Sequence, residues 1–352
     1  MGKDCCGQKD GNYCDQKAGN CCDKDETPVG EIIKVSTRLD LSDWIGSAGV
    51  RCGLNRSNYR INPGLYCVGS PGAESPVLVT ANYKLTFDSL RKELSDLSAW
   101  ILVLDTKGVN VWCSAGKGTF GTDEVLRKIE KVQLKDLVSH RTIILPQLAA
   151  PGVSAHEVLR QSGFKVVYGP VRAKDILNFI RSGMQKTQEM STVRFNLMDR
   201  LILTPAELSY ILKPILVLLG IAIVLELIGI DSRAFGGFVP YIGAILVGNF
   251  IVPALLPWIP GRPFALKGWL IGLVYALILI LTHESIGWQL ILSYLLIIPP
   301  ITAFIALNFT GSSTYTSLSG VRKETKVALP FILVSLISGI LFTIVTMVMF
   351  HN

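Results

Sequence analysis

Residues 77–105 read VLVTANYKLTFDSLRKELSDLSAWILVLD. The stretch opens on an apolar, β-branched run, VLVTANY (77–83), and closes on a second, WILVLD (100–105). Each has the length of a strand, and near-continuous apolar character suits a strand covered on both faces. The segment between them has room for one helix. Thr86 is placed as its N-cap and Asp88 in its first turn, and the helix is expected to run to Leu97.

The alternation continues downstream. Thr122 opens a helix, TDEVLRKIEKV, and TIILPQL (142–148) is a third strand. SAHEVLRQS (154–162) is a helix, FKVVY (164–168) a fourth strand, and a last helix covers about 173–182. Strands alternating with helices predict an α/β, Rossmann-like domain: a parallel sheet with helices on both faces. Its ligand belongs at the carboxyl ends of the strands, near a topological switch point. Those ends are Thr80 to Tyr83, Asp105 to Gly108, Gln147 to Pro151 and Gly169 to Ala173.

The whole chain has 352 residues, 49% of them hydrophobic, with 34 Lys plus Arg against 27 Asp plus Glu. Only 17% are charged, where a soluble domain has about 25%, and the mean hydropathy is +0.42. The deficit lies at one end: from residue 214 onward there are six basic and four acidic residues. This excludes a single soluble domain, a disordered chain and a pure membrane transporter, and leaves a soluble domain joined to a membrane domain. A net charge of +7 without a basic block gives no sign of nucleic acid as a partner.

Five stretches are long and apolar enough to cross a bilayer: about 211–230, 238–259, 266–282, 287–307 and 327–349. Pro253 and Pro257 are expected to kink or break the second, and Pro299–Pro300 the fourth. Lys and Arg alternate between successive loops, which predicts a cytoplasmic soluble domain and an external C-terminus in a multi-pass inner-membrane protein. Glu226 in the first span reads either as an ion-passage group or as a side chain snorkelling to the interface. The loop 308–326, rich in Ser, Thr and Gly, either anchors to anionic lipid through Arg322, Lys323 and Lys326, or packs Asn308 to Gly320 against the soluble domain.

The N-terminus has no apolar signal region, and Cys6 stands where a myristoylation signal wants Ser or Thr. Five of eight cysteines fall in the first 22 residues: Cys5, Cys6, Cys14, Cys21 and Cys22. They could capture a soft metal ion such as Hg(II), or belong to a polar tail whose Cys-Cys pairs match no zinc spacing.

The loop after the second strand contains GKGTFG (116–121), which fits G-x-G-x-x-G. It begins about ten residues after Asp105, however, and no acid for a ribose ends the next strand. A phosphate loop fails because Gly118 follows Lys117. The informative segment is NVWCSAGK (110–117), which puts Cys113 beside Trp112 and small residues at the sheet's carboxyl edge. An isolated cysteine there would be read as a small buried hydrophobe.

From Asn110 to Lys117 every position resembles the cap helix of the mercury-methylating corrinoid proteins. The likeness extends upstream through NPGLYCVGSPGAESPVLVTANYKLTFDSLR (62–91) and downstream through GKGTFGTDEV. The upstream part is also similar to the corrinoid domains of the acetyl-CoA pathway's corrinoid iron–sulfur proteins, and NFTGSSTYTSLSGVRKE (308–324) resembles a stretch of their large subunit.

The resemblance implies a cobalamin-type corrinoid with Cys113 as the lower axial ligand to cobalt; no Asp-x-His-x-x-Gly motif surrounds His140 or His156. It implies a membrane-anchored methyltransferase that passes a methyl group to Hg(II). Thr80, Thr86, Asn110, Val111, Trp112, Ser114, Ala115, Gly116, Lys117 and Ala173 are the expected cofactor contacts. The implied partners are a ferredoxin-like protein with two 4Fe–4S clusters and a methyltetrahydrofolate-linked methyltransferase. The alternatives are a membrane-anchored methyl carrier of acetyl-CoA and one-carbon metabolism, and a transporter with a cytosolic sensor domain. The expected organisation is a flexible Cys-rich tail (1–50), a corrinoid-binding α/β domain (51–185), a linker (186–210) and an all-α transmembrane domain of five helices (211–352).

Overall fold

A computed structural model describes residues 32–227, 233–283, 286–309 and 318–350. The five tail cysteines, and residues 310–317 of the 308–326 loop, lie outside the described residues.

The soluble part comprises β1 (Ile32–Lys34), α1 (Leu41–Arg51), β2 (Gly64–Val68), β3 (Val77–Ala81), α2 (Lys84–Arg91), β4 (Ala99–Leu104), α3 (Val111–Lys117), α4 (Thr122–Lys131), β5 (Thr142–Leu145), α5 (Ala155–Ser162), β6 (Lys165–Tyr168) and α6 (Ile176–Arg181). The six strands form one sheet in the order β1-β2-β4-β3-β5-β6. β3, β4, β5 and β6 run parallel, as the alternation predicts. The purely parallel expectation is corrected at one side: β2 runs antiparallel to β4, with Gly64 opposite Val103, and β1 continues beyond it parallel to β2. β1 and α1 lie upstream of residue 51, so the folded domain begins earlier than the expected boundary.

Successive strand residues point to opposite faces, and both faces are covered. Val79, Leu102, Leu104 and Ile143 pack under Val125, Ile129 and Phe164, on the side of α4 and α5. Leu78, Ile101, Val103 and Ile144 pack against Phe87, Ile176 and Phe179, on the side of α2 and α6. The chain passes from β3 through α2 to β4 on one side, and from β5 through α5 to β6 on the other. A crevice therefore opens between β3 and β5, where the direction of winding reverses.

Two local expectations need correction. Thr86 does not cap α2: the helix starts at Lys84, and the Thr86 N–H already donates to the Tyr83 carbonyl at 3.0 Å. The third strand ends at Leu145, because Pro146 has no N–H for the ladder and leads into a short 3-10 turn.

A short helix, α7 (Leu197–Leu201), leads into an apolar, helical half: α8 (Thr204–Leu227), α9 (Arg233–Leu246), a π-helical segment (Val247–Ile251), α10 (Val252–Leu255), α11 (Phe264–Thr282), α12 (Trp288–Phe309) and α13 (Leu318–Phe350). Among the described residues, three helical stretches are long and apolar enough to cross a membrane: Phe264–Thr282, Trp288–Phe309 and Ser319–Thr346. Val239–Leu255 is a shorter apolar stretch.

α11 and α12 approach closely because Gly268, Gly272 and Ala276 repeat every fourth residue on one face. A Cβ at Gly268 would lie 2.5 Å from the Thr302 carbonyl oxygen. Pro299–Pro300 do not break the helix: α12 is continuous through both. Pro300 lacks the N–H that would bond the Leu296 carbonyl, and the Ser335 hydroxyl of α13 donates to that carbonyl at 2.9 Å.

Candidate functional site

The crevice between β3 and β5 holds a cavity of about 380 Å³, within the size range of small-molecule sites. Its floor is Leu78, Val79 and Thr80 of β3 with Ile144 and Leu145 of β5; Thr86 and Leu90 of α2 form one wall and Val171 to Ala173 another. The start of α3, Asn110 to Trp112, closes the mouth. Six of the expected contacts thus share one cavity: Thr80, Thr86, Asn110, Val111, Trp112 and Ala173. Thr80 is buried.

α3 is held in place by its polar groups. The Asn82 side chain, 1% exposed, accepts from the backbone N–H groups of Thr106 (3.1 Å) and Gly108 (2.9 Å), and its amide donates to Asp105 Oδ1 at 3.3 Å. This fixes the turn after β4, in which Lys107 and Gly108 both take the left-handed conformation. Burial pushes the Asp105 carboxyl up, but the Lys107 ammonium and backbone N–H outweigh it and hold the group below its ordinary value. Asn110 then caps α3, its side-chain oxygen accepting from the Cys113 N–H at 2.9 Å. Gly118, in the left-handed region, ends the helix.

The short helix presents two faces. Val111, Ser114 and Ala115 are buried, and the Ser114 hydroxyl lies 2.6 Å from the Asn110 carbonyl oxygen. The Ser114 and Ala115 side chains therefore face the core, which leaves their backbone as what they could offer a ligand. Trp112, Cys113, Gly116 and Lys117 are on the exposed face. Cys113 carries a free thiol and sits one position round the helix from the cavity-lining Trp112. A substituent at Gly116 would meet nothing within 4 Å. The outer face of α3 is thus open and nearly flat around a thiol, with the cavity at its side.

Two residues lie within the strand ends named from the sequence but are not singled out there. Asn82 reads as the tail of a strand, and its role depends on the 105–108 turn being brought beside it. Arg172 lines the cavity and pairs with Asp199 of α7 at 2.7 Å, a contact between the two halves of the chain. Tyr83 also lines the cavity, and burial raises its phenol above the ordinary value. Among the described residues no group of three or more His, Cys, Asp or Glu could hold a metal ion. His140 is directed to the Ser75 carbonyl and His156 to the Ser154 hydroxyl, and neither lines the cavity.

Residues 55–180 match the family model of the CO dehydrogenase/acetyl-CoA synthase delta subunit. The chain is similar to the acetyl-CoA decarbonylase/synthase complex subunit gamma of Archaeoglobus fulgidus, 34% identical over 118 residues, covering 33% of this chain and 25% of that protein. The corresponding subunit of Methanocaldococcus jannaschii is 34% identical over 133 residues, or 37% and 27% of the two chains. That of Methanopyrus kandleri is 33% identical over 137 residues, or 38% and 29%. The chain spans about a quarter of the length of these curated relatives. The matched part, which builds five of the six strands, most of the cavity and α3, is therefore related to subunits of acetyl-CoA decarbonylase/synthase and CO dehydrogenase/acetyl-CoA synthase complexes.

Proposed function

We propose that the α/β domain is a corrinoid-dependent methyl-transfer module anchored to a membrane, with Hg(II) as its methyl acceptor. The observation that carries this reading is the free, exposed thiol of Cys113 on the outer face of α3, beside an apolar cavity at the sheet's switch point. A bound corrinoid supplies a cobalt centre that takes up and hands on a methyl group.

The residues present fit such a group. Cys113 would offer such a group a soft thiolate donor, and among the described residues no histidine lines the cavity. A corrinoid is larger than the cavity, so the exposed face of Trp112, Cys113 and Gly116 would help hold it together with the crevice between β3 and β5. Asn82 and Asn110 keep the thiol in one position relative to that entrance, and the apolar walls exclude water. A ferredoxin-like partner with two 4Fe–4S clusters and a methyltetrahydrofolate-linked methyltransferase would serve as electron and methyl sources. The tail cysteines Cys5, Cys6, Cys14, Cys21 and Cys22 would assist mercury capture.

A second reading has its own support. The relatives are subunits of acetyl-CoA-forming complexes, which favours a methyl carrier of one-carbon metabolism for the shared segment. The two readings differ in the acceptor. The test uses the full chain in lipid nanodiscs, loaded with a methylated cobalamin. Methylmercury formed on adding Hg(II), and lost in Cys113→Ala, supports the first reading. Transfer to an acetyl-CoA synthase but not to Hg(II) establishes the carrier, and failure of the wild-type chain to retain corrinoid overturns both. In the membrane half, α8, α9 to α10, α11, α12 and α13 would make five spans, with the α/β domain in the cytoplasm and the C-terminus outside.

A further inference from the structure

We propose that α1 is an interfacial helix: it lies in the headgroup layer of the bilayer and sets the α/β domain flat against the membrane. The inference rests on the reading of α8, α11, α12 and α13 as membrane spans.

α1 is amphipathic in an unusual sense. At 100° per residue, Asp43, Gly46 and Val50 fall on one side, and Leu41, Trp44, Ile45 and Ala48 on the other. The first side is fixed to the domain. Asp43 binds both Lys84 and Arg91 of α2, Arg91 also donates to the Ser36 carbonyl, and a Cβ at Gly46 would run into the Tyr59 ring. These contacts leave the apolar side no freedom to turn inward. Leu41 is 74% exposed, Trp44 59% and Ile45 63%. A contiguous apolar stripe held outward by a buried ion cluster is costly unless something covers it.

The position of the stripe identifies the cover. Gly53, just past the end of α1, packs against Ser209 and Ala206 of α8. Ser209 lies two residues before the apolar stretch that starts at 211, a distance of about 3 Å along a helix. The carboxyl end of α1 is therefore tied to the chain at the depth where α8 enters hydrocarbon. Its charges suit an anionic surface as well. The Asp43 carboxylate is neutralised internally, and the one exposed acid here, the capping Asp40, is outnumbered by the exposed Arg38 and Arg56. An exposed tryptophan between Leu and Ile at this level matches the side-chain preference of the membrane interface.

The test places a photoreactive benzophenone amino acid at position 44, or separately at 45, of the full chain in nanodiscs of phosphatidylcholine and phosphatidylglycerol. Position 278, on the exposed side of α11, reports the spans, and position 135, beyond α4 on the soluble domain, is the aqueous control. Lipid adducts at 44, 45 and 278 and none at 135 support the inference. Adducts at 278 without any at 44 or 45 overturn it while leaving the spans intact, and the stripe is then a protein-docking face. No adduct at 278 overturns the membrane reading and the interfacial helix with it.

Discussion

The Asn82 side-chain oxygen accepts the Gly108 N–H at 2.9 Å, so the end of β3 holds the turn from which α3 departs. Both partners are buried, and the same oxygen also accepts the Thr106 N–H. The thiol on α3 and the cavity floor on β3 are positioned relative to each other through this one amide.

Asn82→Leu removes an acceptor from two buried N–H groups, each worth about 1–3 kcal/mol when left unsatisfied. The variant should unfold at clearly lower urea concentration. Under native conditions it should retain cobalamin less well, read as the fraction of corrinoid absorbance surviving gel filtration.

Cys113→Ala should leave stability unchanged, because the side chain is exposed. The visible spectrum of bound cobalamin should shift towards that of a form without the thiol ligand, and methylmercury production should cease. Cys113→His should retain cofactor and lose most activity, since imidazole donates less strongly than a thiolate. An unchanged spectrum in the alanine variant removes Cys113 from the metal.

Gly152 faces the inner side of α3. A Cβ there would meet the Phe120 carbonyl oxygen inside contact distance and the Ala115 Cα at 3.0 Å. Both obstacles are backbone, so Gly152→Ala must displace α3 or the loop carrying Phe120, at a cost of about 1–3 kcal/mol. Reduced corrinoid affinity with the sheet intact by circular dichroism is the expected result. Gly163→Ala is the control: its site is open, and only its left-handed backbone is strained.

Much of this site is written locally in the chain. The four parallel strands appear as apolar runs because they are covered on both faces, and the polar cap of α3 is visible in Asn110 itself. β2 is not legible as a strand, since GLYCV is five residues long between Pro63 and Gly69 and its antiparallel direction depends on its pairing with the distant β4. Ser335 could not be paired with the Leu296 carbonyl, nor Asn82 with Gly108, because each match needs two elements already docked. The inward rotation of Ser114 and Ala115 is not legible either, because the motif gives residue types without the rotation of the helix.

The ion cluster beneath α1 gives a pH signature. Burial pushes the Asp43 carboxyl up, but Lys84, the Asp40 backbone N–H and Arg91 overrule it and hold the group at about 2. A carboxyl depressed in the folded state stabilises fully above its unfolded value, near 3.8, and loses that contribution as pH falls through the folded one. Asp43→Asn should therefore cost about 3 kcal/mol at pH 6. The difference in Tm from wild type should narrow between pH 4 and about 2. A constant gap across that range would show that the cluster does not titrate as a unit with folding.

The final prediction concerns the joint between the two halves. Asp199 accepts from Arg172 at the cavity rim and also from the Asn196 N–H that begins α7. The next residue, Arg200, is 3% exposed, donates to the Ala254 carbonyl at 3.2 Å and stacks over the Trp258 ring at 6.0 Å. Two adjacent residues thus face opposite directions, one into the cavity wall and one into the turn that follows α10. Asp199→Asn releases Arg172 while leaving an acceptor for the Asn196 N–H, so α7 should persist. Arg172 is only partly buried, which limits the pair to about 1 kcal/mol of stability, and its main effect should be positional. Cobalamin should bind about tenfold more weakly if the freed arginine swings into the cavity, since 1.4 kcal/mol of lost affinity is a tenfold change. Arg172→Ala removes the obstructing group together with the ion pair, so it should bind better than Asp199→Asn if obstruction is the cause. Equal weakening in both variants would instead assign Arg172 a direct contact with the ligand. Titrating cobalamin into the full chain and both variants in nanodiscs decides between the two.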